Sequence, residues 1–335
     1  MTFDERVEAV EALGFTTRQA TFLALAALHS GYCLRRQFAA FAGVSYGKNV
    51  RDFLDSLVTR QLATRFTIRP DRGHLYHLQA RTLYRVLRVE HSRNRRQASA
   101  ALIARKLMLL DYVLAHADVE WVATEEDKVD LFAERFGVPR ECLPQRTFTA
   151  SEPDEEPTTR YFPHKLPVAV TGDPPTVHFV SLVTDTTGRG LKQFLQDHAG
   201  LLRCLPHWCV TAVGPDAALR LAGSDAVFAR FLGSALVGLG AQLDDLRWYF
   251  KTRQLADRGD VARLSLPEIE RFRRLRERFS GPAFSAIYDR WIVGGEKALT
   301  AHAGLPTAGA SAVGRLVVEP LPFDYSQFGS LPGVA

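Results

Sequence analysis

The chain has 335 residues, of which 46% are hydrophobic, 24% charged and 10% aromatic. This excludes wholesale disorder, a collagen-like fibre and a small disulfide scaffold, and leaves room for two or three domains. The net charge is +5, but it is unevenly spread: residues 14–106 carry 17 Lys and Arg against Asp52, Asp55, Asp71 and Glu90, a local net of +13, so a polyanion is the expected partner of the first third.

In chain order, Thr17 is placed to cap a helix whose apolar body includes Phe22, Leu23, Leu25, Ala26 and Leu28, with Gly31 ending it. A second short helix is expected over 34–41, with Phe38 and Phe41 turned inward. Gly43-Val44-Ser45 reads as a tight turn with Ser45 as N-cap. A third helix is expected over 46–61, because Val50, Phe53, Leu54, Leu57 and Val58 recur at spacings of three and four. Its opposite face carries Lys48, Asn49, Arg51, Asp52 and Asp55. Thr64–Ile68 and His74–Leu78 are β-prone flanks of a Pro-Asp-x-Gly turn, so a hairpin with Arg69 and Arg72 at its tip follows.

Helix, short helix, turn, longer helix and basic hairpin together read as a winged helix-turn-helix over residues 1–90. Such a unit directs the start of its third helix into a major groove. The candidate DNA contacts are Ser45, Tyr46, Lys48, Asn49 and Arg51 for base edges and phosphates, and Arg69 and Arg72 on the wing. The alternative for such a unit is a module that binds another protein. Phe15-Thr16-Thr17-Arg18-Gln19, Leu34-Arg35-Arg36-Gln37-Phe38-Ala39, Leu54 through Ala63 and Gly73-His74-Leu75-Tyr76-His77-Leu78 carry a narrower likeness. Over residues 14–88 the chain resembles the plasmid-associated replication-relaxation family of winged-helix proteins. That resemblance implies DNA binding linked to a mobile element or to transcription control, and no catalytic residue. The chain departs from the pattern at Gln61-Leu62-Ala63, where an apolar-Gly ending is usual.

Residues 91–138 read as a helical connector. Its strongly apolar helix, over 98–114, suits either a dimer interface or packing on its own domain. Glu120–Ala123 reads as a short strand. Thr124-Glu125-Glu126-Asp127 reads as a capped helix start, and that capping role is favoured over an Asp111…Glu126-x-Lys128 nuclease site. Residues 139–165, rich in Pro, Thr and acids, read as an exposed linker.

Residues 166–335 read as a small α/β domain with C-terminal helices. Pro167–Val170, Val177–Val183 and Trp208–Val213 are strand candidates, with an amphipathic helix over 191–202 between the last two. Thr184 through Gly190 joins a strand end to a helix start. An ordinary capped loop is the expectation there, and an anion site with Asp185 the alternative. Cys204, His207 and Cys209 offer metal-ligand types without a fourth partner, and buried thiols with a surface His are favoured. Residues 216–303 read as several helices, one of them bearing Arg271, Arg273, Arg274, Arg276 and Arg278 among acids, hence a solvated face. Leu316 begins a short strand signal, and 322–325 reads as a packed-down extended segment.

The expected whole is a mixed α+β protein: a winged helix, then a small α/β domain with a helical extension. No nucleotide-binding, zinc-protease or nucleophile-elbow motif occurs, so no cofactor, metal or catalytic residue is assigned. No apolar run approaches the ~18–20 residues of a membrane span. Met1-Thr2-Phe3-Asp4-Glu5 lacks a signal-peptide start. Four cysteines without framework spacing suit reduced thiols. The expectation is a cytoplasmic homodimer that binds double-stranded DNA, with a small-molecule or protein effector at the C-terminal domain. A DNA-acting enzyme with a nuclease-like C-terminal half, or a protein-interaction adaptor, are the alternatives.

Overall fold

The computed structural model describes residues 1–68, 73–148, 158–259, 264–279, 288–296, 313–323 and 325. The architecture is mixed α and β, with three separate sheets among the described residues.

The N-terminal unit opens with α1 (Phe3–Glu11) and α2 (Thr17–His29). Each starts from a reciprocal capping box, Thr2 with Glu5 and Thr16 with Gln19, which satisfies two otherwise orphaned amides. The cap of α2 is thus Thr16, one residue before the expected Thr17. Then come β1 (Tyr32–Leu34), α3 (Arg35–Ala42), α4 (Lys48–Thr59), β2 (Ala63–Ile68), β3 (Gly73–Leu78) and α5 (Arg81–Val86). The strands form an antiparallel sheet in the order β1-β3-β2, with Tyr32 opposite His77 and Arg65 opposite Tyr76. The hairpin β2–β3 stands where the sequence placed it; its tip, with Arg69 and Arg72, lies outside the described residues. β1 has no sequence signal because all three of its residues are buried, so nothing alternates.

Gly31 makes β1 possible. It adopts φ +80°, and a Cβ there would collide with the carbonyl oxygen of Asn94. Asn94 in turn donates from Nδ2 to the carbonyls of Ala27 and Leu28, each at 3.0 Å, closing the end of α2.

The apolar stripe of α4 is buried as expected. Val50, Phe53, Leu54 and Leu57 are each no more than 5% exposed. They pack on Phe22 and Phe38, with the Phe38 and Phe53 rings 4.3 Å apart. At about 1.5–3 kcal/mol per buried large side chain, this stripe fixes which face of α4 is left to solvent.

α6 (Ala100–Ala115) joins the two halves. Ile103, Leu107, Met108, Leu109, Leu110, Tyr112 and Val113 are buried. One side of the helix meets α2, β1 and α3, and the other meets the C-terminal sheet. Most of its apolar side chains are therefore buried within the chain, while Leu102 is exposed.

α7 (Glu125–Asp130) follows, capped by Thr124, whose hydroxyl accepts from the Asp127 amide. The expected strand at 120–123 is reduced to one bridge, Val122 to Val168. The expected linker folds at both ends: β4 (Gln145–Phe148) and β5 (Thr158–Tyr161) pair antiparallel around the acidic stretch 149–157, which lies outside the described residues. Thr and aromatic residues flanking the acids carry this pair, and composition averaged over the segment conceals them.

The C-terminal sheet runs β6 (Val168–Thr171), β7 (Thr176–Leu182), β8 (His207–Pro215), β9 (Val313–Leu321). β6 is antiparallel to β7, and β7, β8 and β9 are parallel. The crossover between β7 and β8 is two helices rather than one, α8 (Arg189–Asp197) and α9 (Ala199–Cys204), broken at His198. α10 (Asp216–Ala222), α11 (Ser224–Asp257) and α12 (Leu266–Phe279) follow. α11 begins against α8 and β9. At its far end Leu246, Tyr249 and Phe250 form a separate small core with Leu275, Phe279, Tyr288 and Trp291. No helix among the described residues is long and apolar enough to cross a membrane.

Candidate nucleic-acid interface

Gly43 takes the left-handed conformation that ends α3, at φ 62°. The chain then runs exposed through Val44, Ser45 and Tyr46, the last 64% exposed, into α4. Ser45 is not the N-cap. Gly47 occupies that position with extended backbone and no side-chain cap, so α4 begins two residues later than expected. Gly47 needs no steric tolerance from its neighbours, and its choice leaves the first amides of α4 without a side-chain acceptor. Such a helix start favours anions through its open N–H groups and dipole.

Lys48, Asn49, Arg51 and Asp52 are all exposed at this end of α4. Burial of the opposite stripe puts them there. Ser45, Tyr46, Lys48, Asn49 and Arg51 are thereby brought onto one exposed stretch. Arg69 and Arg72 lie outside the described residues.

The network that holds α4 to the sheet left no sequence signal. Asp55, one turn beyond Arg51, accepts from Arg35 at 3.0 and 3.2 Å, from the Tyr76 hydroxyl at 2.8 Å and from Arg65 at 3.4 Å. Burial opposes ionisation of Asp55, but the Tyr76 and Arg35 hydrogen bonds and the charges of Arg35 and Arg65 hold its carboxyl below the usual carboxylate range. Burial, then the Asp55 hydrogen bond, push the Tyr76 phenol up to about 12. Asp55 is thus neutralised locally, and with Lys48 and Arg51 against Asp52 the exposed face keeps a positive balance. Four residues far apart in sequence build this, on α3, α4, β2 and β3, so only folding reveals it.

Arg36 is a different case. It sits in the basic stretch of α3 but forms a two-pronged pair with Asp111 at 2.7 and 2.8 Å. The Phe323 ring lies 3.6 Å from its guanidinium, and the Tyr325 hydroxyl donates to the same carboxylate. The segment after β9 therefore packs down, as expected, and does so onto α3. This engages Arg36 within the chain and gives Asp111 a structural partner.

The other sequence candidates separate in space. Lys128 is buried and donates to the Leu166 carbonyl at 2.7 Å, while Asp111 is held on α6. Both are thus engaged by other partners, Asp111 by Arg36 and Tyr325. Asp185 caps α8: its Oδ1 accepts from the amides of Thr187 and Arg189 and from the Thr187 hydroxyl, and its Oδ2 accepts from the Gly190 amide at 3.1 Å. The position an anion would take at this helix start is filled by the chain's own carboxylate. Those hydrogen bonds, the Thr187 hydroxyl first, hold the Asp185 carboxyl below its usual range. Cys204 donates to Gly200 at 3.3 Å and neighbours Cys142, while Cys209 is buried in β8. On α12, Arg271 pairs with Asp245 at 2.8 Å and lies over Trp248, while Arg273, Arg274 and Arg276 are exposed.

Comparison with protein-family models, with curated proteins and with solved structures finds nothing that matches this chain.

Proposed function

We propose that the chain binds double-stranded DNA sequence-specifically, with residues 1–90 acting as a winged helix and α4 as the helix that enters the major groove. The observation that carries this reading is the start of α4. An uncapped, open helix N-terminus projects Tyr46, Lys48, Asn49 and Arg51 from a firmly buried opposite face. Asn and Arg suit adenine and guanine edges, Lys a guanine edge or a phosphate, and free amides a phosphate. The antiparallel hairpin beside it carries Arg65 on β2, and the intervening residues 69–72 bring two more arginines by sequence. Such a protein would control transcription, or replication and maintenance of a mobile element. A homodimer on this reading uses a surface other than the buried apolar face of α6.

Selection of bound duplexes from a random library, repeated at two salt concentrations, tests the proposal. An enriched motif whose affinity falls steeply with salt supports it. Binding without a motif reduces the unit to a non-specific module, and no binding at either salt concentration overturns the proposal in favour of a protein-interaction role.

A further inference from the structure

A cleft of about 630 Å³ lies between the N-terminal unit and the chain at 123–128 and 161–165. Its walls come from the end of α2, from α5 and the segment after it, from the start of α7 and from the chain just beyond β5. That volume is in the range of small-molecule sites.

Its charge is unusual. Arg85, Arg88, Lys128 and Lys165 line it, and none of them has a salt bridge among the described residues. The acids of the same lining are mostly engaged. Glu90 pairs with Arg81 and His91, and Glu125 accepts from the Tyr161 amide at 2.7 Å and faces Arg160. Glu126 is exposed.

Two buried nitrogen-bearing groups in this wall are incompletely partnered. Lys128 is 1% exposed, and of its three N–H bonds one is spent, on the Leu166 carbonyl. Its ammonium also stands 5.7 Å from the centre of the Phe162 ring. Burial, and then the charge of Lys165, push Lys128 down to about 7, against the opposing pull of Asp127 and Glu125. His29 is 5% exposed, and its Nε2 has no hydrogen-bond partner. A buried ammonium without a carboxylate is costly to the fold, and so is a buried polar nitrogen without a partner. An anion seated here would offset both.

We propose that this cleft binds a small, multiply charged organic anion, bearing phosphate or carboxylate groups, with Lys128 as the buried anchor, Arg85, Arg88 and Lys165 around it, and the Phe162 and Leu28 side chains against its apolar portion. The proposal stands whether or not α4 binds DNA. Because the walls come from the N-terminal unit and from residues 123–128 and 161–165, the bound anion also ties these two regions together.

The test is calorimetric titration and thermal unfolding of the full chain with pyrophosphate, ATP and citrate, at constant ionic strength with chloride as control. At least one probe should bind saturably, one per chain, with Kd below ~1 mM, and raise Tm. Preference for pyrophosphate or ATP identifies phosphate, and preference for citrate identifies carboxylate. Arg88→Ala/Lys165→Ala alters exposed side chains and should weaken Kd at least tenfold. Lys128→Met should abolish binding and raise the Tm of the free protein, because it removes the unpaired buried charge. Absence of saturable binding by all three probes, or an unchanged Kd in the Arg88→Ala/Lys165→Ala protein, overturns the proposal; the second variant decides even where Lys128→Met fails to fold.

Discussion

Two helix starts in this molecule face solvent after a short polar loop, and they are finished in opposite ways. α8 is closed by Asp185, whose carboxylate takes three backbone amides and a hydroxyl from its own loop. α4 begins at Gly47, and no side chain closes it. The loop before α8, with its small residues and Arg189, was expected to be an ordinary capped loop, with an anion site as the alternative. The capped loop is what the structure holds, and a helix start that supplies its own carboxylate has no unmet demand for another. An open start costs stability, and the proposed DNA contact is what would make that cost worthwhile.

The comparison extends to the surroundings. On α4 the half-buried acid Asp55 is matched by Arg35, Arg65 and Tyr76. Around α8 the buried group is His198, whose Nδ1 lies 2.8 Å from the Phe194 carbonyl and whose ring stacks on Phe194 at 3.9 Å. The N-terminal half has an equivalent in His29. Burial pushes both imidazoles from 6.5 to about 3; Lys128 and Arg6 add to the effect at His29, and the Phe194 carbonyl opposes it at His198.

The largest expected effect follows from those two histidines. Both stay neutral in the fold at pH values where the unfolded chain protonates them. Stability is therefore complete above about pH 6.5 and is lost as pH falls toward 3. Each histidine contributes a slope of up to about 1.4 kcal/mol per pH unit across that window. Denaturant unfolding at pH 7, 5.5 and 4.5 measures it. His29→Leu and His198→Leu should each remove part of the slope, and a pH-independent stability over this range would contradict the burial of both rings.

Next come the side chains at the open helix start. Lys48→Ala and Arg51→Ala should each weaken binding to the selected DNA by ~1–3 kcal/mol where they read a base. Where they meet phosphate, affinity should fall equally on all sequences and the salt slope should drop by about one. Electrophoretic mobility shift at two salt concentrations separates these outcomes, and wild-type affinity in both variants would remove α4 from the interface.

Gly47→Asp makes α4 resemble α8. The Gly47 backbone is extended and the site has room for a Cβ, so the fold should hold and gain only about a few tenths of a kcal/mol. DNA affinity should fall by roughly tenfold, about 1.4 kcal/mol, since the new carboxylate takes the place of a phosphate. Unchanged affinity would show that the open start is incidental.

The converse change is Asp185→Ala. It should lower stability by about 1 kcal/mol through loss of the α8 cap and leave DNA affinity as it was. A thermal melt and the same mobility shift read both.

Much of this arrangement was legible in the residues. The period-three-and-four stripe of Val50, Phe53, Leu54 and Leu57 predicted both α4 and its exposed face, because burial of one face of a helix dictates the other. The β-prone flanks around a Pro-Asp-x-Gly turn predicted β2 and β3. The cap at Thr124 was legible because capping depends on residues three apart. Local errors came where local signals compete. Ser45 is a better cap than Gly47 by propensity, yet the chain enters α4 only after Gly47. In the stretch 139–165 a strongly acidic centre outweighed the β-prone ends in any average, so β4 and β5 were missed.

By itself, then, the sequence determined the mixed α and β character, the run of α2, α3, α4, β2 and β3 in the first third (though not α1 or β1), the buried stripe of α4 and the concentration of positive charge there. All of these depend on spacing within a few residues. Only the tertiary structure decided which charges remain available. It matched Asp55 with arginines on other elements, engaged Arg36 through Asp111 and the segment after β9, closed α8 with Asp185, and gathered Lys128, Lys165, Arg85 and Arg88 around one cleft. Apart from the local closure of α8, these outcomes are set by distances between residues tens or hundreds of positions apart, and electrostatic partnership depends on those distances rather than on sequence order.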